Sequence, residues 1–138
     1  MSFSWVDLGR MEYNRCYELQ KTLRYERQQS FIDDLLILVE HPPVYTLGKR
    51  STDDDIINST HDFPVISTER GGRVTYHGPG QIVGYVICNL QERGIAVPRW
   101  VLYVEQALQL VLTHWKIPTG IKKEYPGLWV ADGSRKIA

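Results

Sequence analysis

The sequence predicts an α/β (α+β) fold, with helices packed against a β-rich centre. Two segments repeat apolar residues at the three- and four-residue spacing of helices, and short apolar runs bounded by Gly and Pro lie between them, as strands do. The chain has 138 residues, of which 43% are hydrophobic and 23% are charged. This is enough for one ordinary domain with its own core, so we expect residues 1–138 to form a single domain.

The first helix is predicted from Glu12 to about Gln29, where one apolar stripe recurs. The members of this stripe are Tyr13, Cys16, Leu19 and Leu23. The run "LLILVE" that follows is unbroken and apolar, and the "HPP" after it stops both helix and sheet pairing. These features indicate a buried strand ending at His41, and "PVYTLGK" is predicted as the next extended segment.

Residues 51–62 are polar and rich in turn formers, so we expect a surface loop there. Asp53, Asp54 and Asp55 leave a cation site open as an alternative, but consecutive carboxylates point in different directions, which favours a solvated loop. The segments "PVIST", "RVTYH" and "QIVGYVIC" that follow are predicted as strands, the last of them interrupted by Gly84.

The second helix is predicted to begin near Pro98, a residue that suits a first helical turn. One apolar stripe should pack this helix on the sheet. The stripe consists of Val101, Val104, Leu108, Val111, Leu112 and Trp115. After the helix, "GLWVADGSRKIA" is predicted as two extended pieces joined through Asp132-Gly133, a strong hairpin signal. The second piece stops short at Ala138, which favours a truncated or partial product of a longer protein.

Charge and hydropathy argue against several classes of function. Lys and Arg number 16 and Asp and Glu number 16, so no net field attracts nucleic acid or an anionic membrane surface. The longest apolar runs fall far short of the roughly 20 residues of a membrane span. The N-terminus lacks the basic-then-apolar pattern of a signal peptide. We therefore expect a cytoplasmic protein with no nucleic-acid and no membrane partner.

The two cysteines, Cys16 and Cys88, lack the spacing of a metal site. Cys16 falls in a predicted helix and Cys88 ends a predicted strand, so we expect both to be free, buried thiols. The sequence predicts no metal site.

The stretch "RGGRVTYHGPGQ", residues 70–81, is either a pair of turns or a ligand site. Glycine permits positive φ and proline fixes its own φ, so both glycine clusters can be tight strand connections. The spacing is not that of a phosphate-binding loop, and one RGG copy between apolar strands is not an RNA-binding tract. The functional interpretation that remains is a site at which the backbone comes close to a ligand.

Strand alternation within this stretch would place Arg73, Thr75 and His77 on one face. His77 would then share a face with a cation, next to a glycine-rich turn. A lone histidine is also common as a hydrogen-bonded structural residue, so both interpretations of His77 stay open.

"RGGRVTYHGPGQIVGY" at residues 70–85 resembles the lipoyl/octanoyl transferases, which move an octanoyl group from acyl carrier protein to a lysine of lipoyl domains. "EHPPVYTLGKR" at residues 40–50 and "YPGLWV" followed by "RKIA" within residues 125–138 extend the resemblance in the family's order. The resemblance implies a mixed β-sheet packed with helices, like the catalytic domains of lipoate and biotin protein ligases. Residues 1–138 would then form an acyltransferase domain that is incomplete at its C-terminus.

The resemblance also implies site residues and partners. The implied substrate-binding residues are Arg70, Gly71, Gly72, His77 and Gly78. The lysine of the family's "KIA" motif is Lys136, the implied general acid and base, although by residue type alone it would be an ordinary surface lysine. The implied acyl donor is octanoyl-acyl carrier protein. The implied acceptors are lipoyl domains of 2-oxoacid dehydrogenases or the glycine cleavage H protein. The resemblance implies no cofactor.

The family's mechanism uses a cysteine thiolate as nucleophile and passes through an acyl-enzyme thioester. In the family that cysteine follows the "KIA" motif, and neither Cys16 nor Cys88 matches it. Two alternatives therefore stay open beside octanoyl transfer. The chain could be an ATP-dependent lipoate or biotin ligase, or a non-catalytic fragment that binds an acyl carrier or a lipoyl domain.

The zero net charge does not explain how an acidic acyl carrier would be attracted. We therefore expect a local basic patch on this chain. Its expected members are Lys49, Arg50, Arg70 and Arg73.

Overall fold

A computed structural model describes residues 3–56, 62–122 and 124–138. The chain divides into two compact units, Met1–Cys88 and Asn89–Ala138. Each unit combines helix with strand, and parallel and antiparallel pairings occur together in the first unit. The predicted α+β class with mixed sheets is therefore confirmed.

The first unit contains a mixed sheet of β1 (Phe3–Arg10), β2 (Asp34–Glu40) and β6 (Ile82–Ile87). β2 is central, parallel to β1 and antiparallel to β6. Ile37 and Val39 of β2 are buried, and its central position explains the unbroken apolar run from which this strand was predicted.

A second sheet in this unit has β3 (Val44–Leu47) at its centre, parallel to β4 (Val65–Ser67) and antiparallel to β5 (Thr75–His77). All three strands lie within predicted extended segments. Val44 is buried and pairs directly with His77 across the two strands. Because directly paired residues share a face of a sheet, the His77 side chain lies on the buried side.

The first predicted helix is confirmed as α1 (Tyr13–Gln28), which packs on β6. The Glu12 carboxylate caps it by accepting hydrogen bonds from two first-turn N–H groups, which have no partner within a helix. Tyr13 and Cys16 of the predicted stripe are buried against the sheet. Arg27, on the same side of the helix, is buried as well.

A buried ion pair joins the end of α1 to the start of β2. Arg27 Nε donates to Asp34 Oδ1 at 2.6 Å, and the two side chains are only 8% and 1% exposed. Because water is nearly excluded, the ion pair helps to compensate both charges for their lost hydration. The pair therefore fixes the last turn of α1 against the central strand.

The predicted surface loop is described up to residue 56 and again from residue 62. Asp53–Asp55 forms a single 3-10 turn. Residues 57–61 of the predicted loop lie outside the described residues.

The second unit pairs α2 (Val97–His114) with an antiparallel pair of strands, β7 (Thr119–Lys122) and β8 (Tyr125–Val130). The second predicted helix is thereby confirmed, with Pro98 in its first turn. Leu128 of β8 is fully buried and forms the core of this unit.

The hairpin signal at Asp132-Gly133 is also confirmed. Gly133 has a φ of +71°, and its N–H donates to the Val130 carbonyl at 2.7 Å. Beyond the turn, the chain returns along β8 through an antiparallel bridge between Trp129 and Lys136.

The face by which α2 packs differs from the prediction. Four members of the predicted core stripe are exposed, among them Trp115 at 71%. These four are Val101, Leu108, Val111 and Trp115. The helix contacts β7 and β8. On the helix, the Glu105 side chain is buried, and Gln109 Nε2 donates a hydrogen bond to the Thr119 carbonyl at 2.8 Å. The prediction was wrong here because apolar periodicity shows only that a helix is amphipathic. It does not show which face is buried, since polar side chains can also be buried when they have hydrogen-bond partners.

Among the described residues, no helix combines the length and the apolar character needed to cross a membrane.

Candidate active site

The Gly-Pro-Gly segment of the glycine-rich stretch forms a turn. Gln81 N–H donates to the Gly78 carbonyl at 3.1 Å, and Gly80 has a φ of +82°. With Pro79 before it, this is the arrangement of a type II turn, which needs positive φ at its third residue. A side chain at Gly78 would collide with the ring of Tyr76. The turn interpretation therefore accounts for these residues.

The RGG loop, residues 70–72, lies against the segment that follows β3. Lys49 N–H donates to the Arg70 carbonyl at 2.9 Å, and Arg50 N–H donates to the Gly72 carbonyl at 3.0 Å. A Cβ at Gly48 would collide with the loop's carbonyl groups. The two backbones therefore touch, and the "TLGKR" segment holds the loop in place.

The Arg70 guanidinium folds back over its own loop. Nη1 donates to the Gly71 carbonyl at 2.7 Å, and Nη2 donates to the Arg73 carbonyl at 2.7 Å and to the Thr46 carbonyl at 3.2 Å. Guanidinium carries five N–H donors, and within the described part of the chain Nε–H has no acceptor. Arg70 thus shapes the loop through its contacts with the loop's own carbonyl groups and with Thr46.

Two backbone N–H groups of the loop have no protein acceptor among the described residues. Within residues 3–56, 62–122 and 124–138, neither Gly71 N–H nor Gly72 N–H donates a hydrogen bond to the protein. A Cβ at Gly71 would have no neighbour within 4 Å, so this face of the loop is open. At Gly72, by contrast, Arg70 Nη1 lies 3.2 Å from the position of a Cβ.

Substituting the two loop glycines should have different effects on stability. Gly72 has a φ of +83°, and Arg70 Nη1 lies 3.2 Å from the position of a Cβ there. Gly72→Ala should therefore lower the free energy of unfolding by about 1–2 kcal/mol. Gly71→Ala, the matched control, should lower it by less than about 0.5 kcal/mol. Urea unfolding measures both, and equal losses would contradict the described loop conformation.

His77 lies in an aromatic cluster that is formed by Tyr13, His41, His77 and Tyr85. The His77 ring stacks on Tyr13 with centroids 5.8 Å apart and planes at 21°. It meets the His41 ring edge-on at 5.6 Å. Tyr13, His41 and Tyr85 were not among the predicted site residues, although the "HPP" signal had placed His41 at a strand end.

The fully buried His41 links the cluster to the backbone. Nδ1 lies 2.8 Å from the Met11 carbonyl, and Nε2 lies 3.0 Å from the Tyr85 hydroxyl. A carbonyl oxygen can only accept, so Nδ1 carries a proton, and in the neutral ring Nε2 accepts from the hydroxyl. Burial, the largest cause, raises the pKa of Tyr85, which keeps that hydroxyl protonated as a donor.

The environment of His77 favours its neutral form. Burial first, and then electrostatic interactions with His41 and Arg70, lower the pKa of His77 to about 4. At pH 7 His77 is therefore an uncharged imidazole, which can donate at one nitrogen and accept at the other.

The lowered pKa of His77 predicts a pH dependence of stability. The unfolded chain binds a proton at His77 near pH 6.5, whereas the folded protein does so only near pH 4, so acidification from about pH 6.5 to about pH 4 favours unfolding. The free energy of unfolding should fall between pH 7 and pH 5, and His77→Gln should flatten that slope. Urea unfolding at both pH values tests this, with His114→Gln at an exposed position as control. An unchanged slope in His77→Gln would contradict it.

Arg73 does not supply the cation that was expected beside His77. Arg73 Nη2 and Nε lie 2.7 and 2.8 Å from Asp55 Oδ1, and Nη2 also donates to Thr52 Oγ1 at 3.2 Å. Arg73 and its neighbour Val74 precede β5, so strand alternation does not extend to them. The cation whose charge acts on His77 is Arg70, and not Arg73 as predicted.

Cys16 does not resemble an activated nucleophile. Cys16 is free and fully buried, and burial raises the pKa of its thiol. Gln20 Nε2 donates to Cys16 Sγ at 3.5 Å. Cys88 is only half-buried, so the expectation of burial is confirmed for Cys16 alone.

The predicted site residues fall in both units. The first unit contains the predicted substrate-binding residues Arg70, Gly71, Gly72, His77 and Gly78. Lys136 belongs to the second unit, is exposed, and lies after the hairpin turn opposite Trp129. Within the described residues its Nζ makes no hydrogen bond or ion pair.

Comparison with known proteins places these features in a family. Residues 12–138 match the lipoyl protein ligase A/B catalytic domain. The chain is 42% identical to an octanoyltransferase of Alkaliphilus metalliredigens, 41% to one of Myxococcus xanthus and 40% to one of Nocardia farcinica. The alignments cover 100%, 95% and 96% of this chain, but 65%, 39% and 53% of those proteins. The chain belongs to the lipoyl protein ligase A/B catalytic-domain family.

Proposed function

We propose that this chain is part of an octanoyltransferase of lipoate biosynthesis, which moves an octanoyl group from octanoyl-acyl carrier protein to a lysine of a lipoyl domain. The observation that carries the proposal is the similarity to proteins named octanoyltransferase along nearly all of this chain. The acceptors would be lipoyl domains of 2-oxoacid dehydrogenases or the glycine cleavage H protein. The reaction requires no cofactor, because a thioester is already an activated acyl group.

The RGG loop is the proposed binding site for the thioester carbonyl. The open face of the loop offers the N–H groups of Gly71 and Gly72, and the positive charge of Arg70 lies beside them. Negative charge grows on the carbonyl oxygen when a nucleophile attacks, and preorganised donors stabilise it. Glycine is required there because any side chain at Gly72 would be strained.

The aromatic cluster is the proposed wall of the acyl pocket. His77 is neutral at pH 7 and stacks on Tyr13, so the half-buried His77 ring can present an uncharged surface. Such a surface suits an eight-carbon chain, because burying each methylene contributes about 0.8 kcal/mol. Gly78 lies beside His77, and its turn fixes the end of β5.

The proposed chemistry has two steps, and Lys136 moves the proton in each. A cysteine thiolate attacks the octanoyl thioester, a new thioester forms on the enzyme, and the carrier leaves as a thiol. The lipoyl-domain amine then attacks this thioester, which gives an amide and returns the thiol. An uncharged lysine can accept the proton of the thiol and of the amine, whereas a charged one can return it. The proposal gives the nucleophile's role to neither Cys16 nor Cys88.

Because Lys136 is exposed, its desolvation would come from the bound protein substrate. A carrier or lipoyl domain that covers Lys136 would disfavour its charged form and so favour proton acceptance.

The test is octanoyl transfer by the native gene product that contains these residues. It is supplied with octanoyl-acyl carrier protein and a lipoyl domain, with and without ATP, and the mass of the lipoyl domain is followed. Transfer without ATP supports the proposal. Transfer from free octanoate that depends on ATP would identify a ligase instead, and tight carrier binding with no acyl movement would identify a binding module.

A further inference from the structure

A buried carboxylate on α2 hydrogen-bonds to the backbone of β8. Glu105 is 8% exposed, and its Oε1 accepts a hydrogen bond from Gly127 N–H at 2.5 Å. A hydrogen bond to a charged acceptor is about twice as strong as a neutral one. Burying a carboxylate is costly, so a glutamate on the buried face of a largely apolar helix calls for a specific partner. The partner here is the N–H of a single glycine.

Gly127 has a backbone conformation that few residues adopt. Its φ is +123°, in the region that favours glycine. A Cβ at this position would collide with Lys136 Cε and with the Ala138 carbonyl, and would lie 2.8 Å from Lys136 Nζ. The side chain of Lys136 therefore passes directly over the bare Cα of Gly127.

Apart from this contact with Gly127, few other interactions fix the position of the Lys136 side chain. Its backbone is held by the bridge to Trp129, while Ile137 N–H donates to the Leu128 carbonyl at 2.7 Å. Its Nζ has no hydrogen-bond partner in the described part of the chain. The surface of Gly127 is thus what supports the amine end of the side chain, and Glu105 fixes that surface.

We propose that Glu105 is a positioning residue for Lys136, acting through the hydrogen bond to Gly127 N–H that holds the glycine under the lysine side chain. The inference rests on the proposed function, in which Lys136 moves the proton. Glu105 itself touches neither substrate nor reacting atoms in this assignment. A misplacement of about 1 Å in a catalytic group can cost 10²-fold in rate, so a support of this kind has a measurable effect.

The test compares Glu105→Ala, which removes the acceptor, with Glu105→Gln, which keeps an Oε1 acceptor and removes the charge. In the native gene product that contains these residues, three quantities are measured. They are the exchange rate of the Gly127 amide, the NOE between Gly127 Hα and Lys136 Hε, and kcat and KM for octanoyl transfer. With Glu105→Ala, we expect amide exchange to rise roughly 10-fold or more and the NOE to disappear.

In Glu105→Ala we further expect kcat to fall roughly 10- to 100-fold while KM for octanoyl-acyl carrier protein changes less than about 2-fold. Glu105→Gln should keep the NOE and most of kcat, a rescue that a general loss of stability would not give. If Glu105→Ala does not fold, Glu105→Asp takes its place, since it keeps the charge but has a shorter reach. Gly127→Ala should lower kcat in the same way with Glu105 intact.

Three results would overturn the inference. The first is a Glu105→Ala variant in which the Gly127 amide exchange rate and the Gly127–Lys136 NOE equal those of the wild type. The second is an unchanged kcat in a variant that has lost the NOE. The third is a loss of kcat in Glu105→Gln with the NOE retained. A wild-type protein that transfers no octanoyl group would refute the proposed function instead. The amide-exchange and NOE measurements would still decide whether Glu105 positions Lys136.

Discussion

Replacing Lys136 by alanine should abolish octanoyl transfer and leave the fold intact. The proposed mechanism needs a group that accepts a proton from the thiol and from the acceptor amine, and loss of a general acid-base group typically costs roughly 10²–10⁴-fold in rate. Lys136 is exposed and its Nζ has no hydrogen-bond partner among the described residues, so the free energy of unfolding should hardly change. The measurement is kcat/KM for transfer from octanoyl-acyl carrier protein to a lipoyl domain.

Two further variants sharpen this prediction. Lys136→Arg keeps the charge but cannot release a proton near neutral pH, so it should fail like the alanine variant. Arg135→Ala changes the exposed neighbouring cation and should retain wild-type turnover. Turnover that survives in Lys136→Ala would remove this lysine from the mechanism.

Asp34→Ala should destabilise the first unit more than any surface substitution. The change removes the carboxylate that accepts from Arg27 Nε, at a site where the two side chains are 8% and 1% exposed. Breaking a buried ion pair by removing one partner typically costs about 3–5 kcal/mol, a large fraction of the stability of a domain. Urea unfolding at pH 7 measures the loss.

The exposed pair of Lys21 and Glu18 is the matched control, with side chains 42% and 70% exposed. Lys21→Ala should cost far less than Asp34→Ala, because water solvates either charge alone. Replacing both members of the buried pair, as in Arg27→Met with Asp34→Leu, should cost less than Asp34→Ala, because no unpaired charge then remains. Equal losses from Asp34→Ala and Lys21→Ala would show that the buried pair does not anchor α1.

The elements predicted correctly are those with a local signal. The stripe of α1 and the unbroken run of β2 mark these elements without knowledge of the rest of the chain. β1 and β7 were not predicted. β1 is an edge strand of its sheet and is mostly exposed, and β7 contains Gly120. For these reasons neither strand shows a clear alternation of apolar and polar residues or an apolar run.

The packing face of α2 could not be found from periodicity. Six apolar positions define a stripe, yet the helix contacts β7 and β8 while Glu105 is buried and Trp115 is exposed. The hydrogen bond from Gly127 N–H compensates the burial of Glu105, and it joins residues far apart in sequence.

The candidate site was predicted in part. The composition of the glycine-rich stretch pointed to turns or a ligand site, and the structure confirms the turn at Gly78, whereas a ligand site at the RGG loop stays a prediction. The partners of His77 were missed because Tyr13, His41 and Tyr85 come from three distant segments. Only the packing of α1 on the sheet brings their rings together.

The measurement that tests the central claim most directly is the mass of a lipoyl domain after incubation with octanoyl-acyl carrier protein and the native gene product, without ATP. We predict that one octanoyl group is added to the lipoyl-domain lysine, and that the enzyme itself carries an octanoyl group when the acceptor is withheld. A lipoyl domain that stays unmodified, or that is modified only with ATP and free octanoate, would contradict octanoyl transfer by this protein.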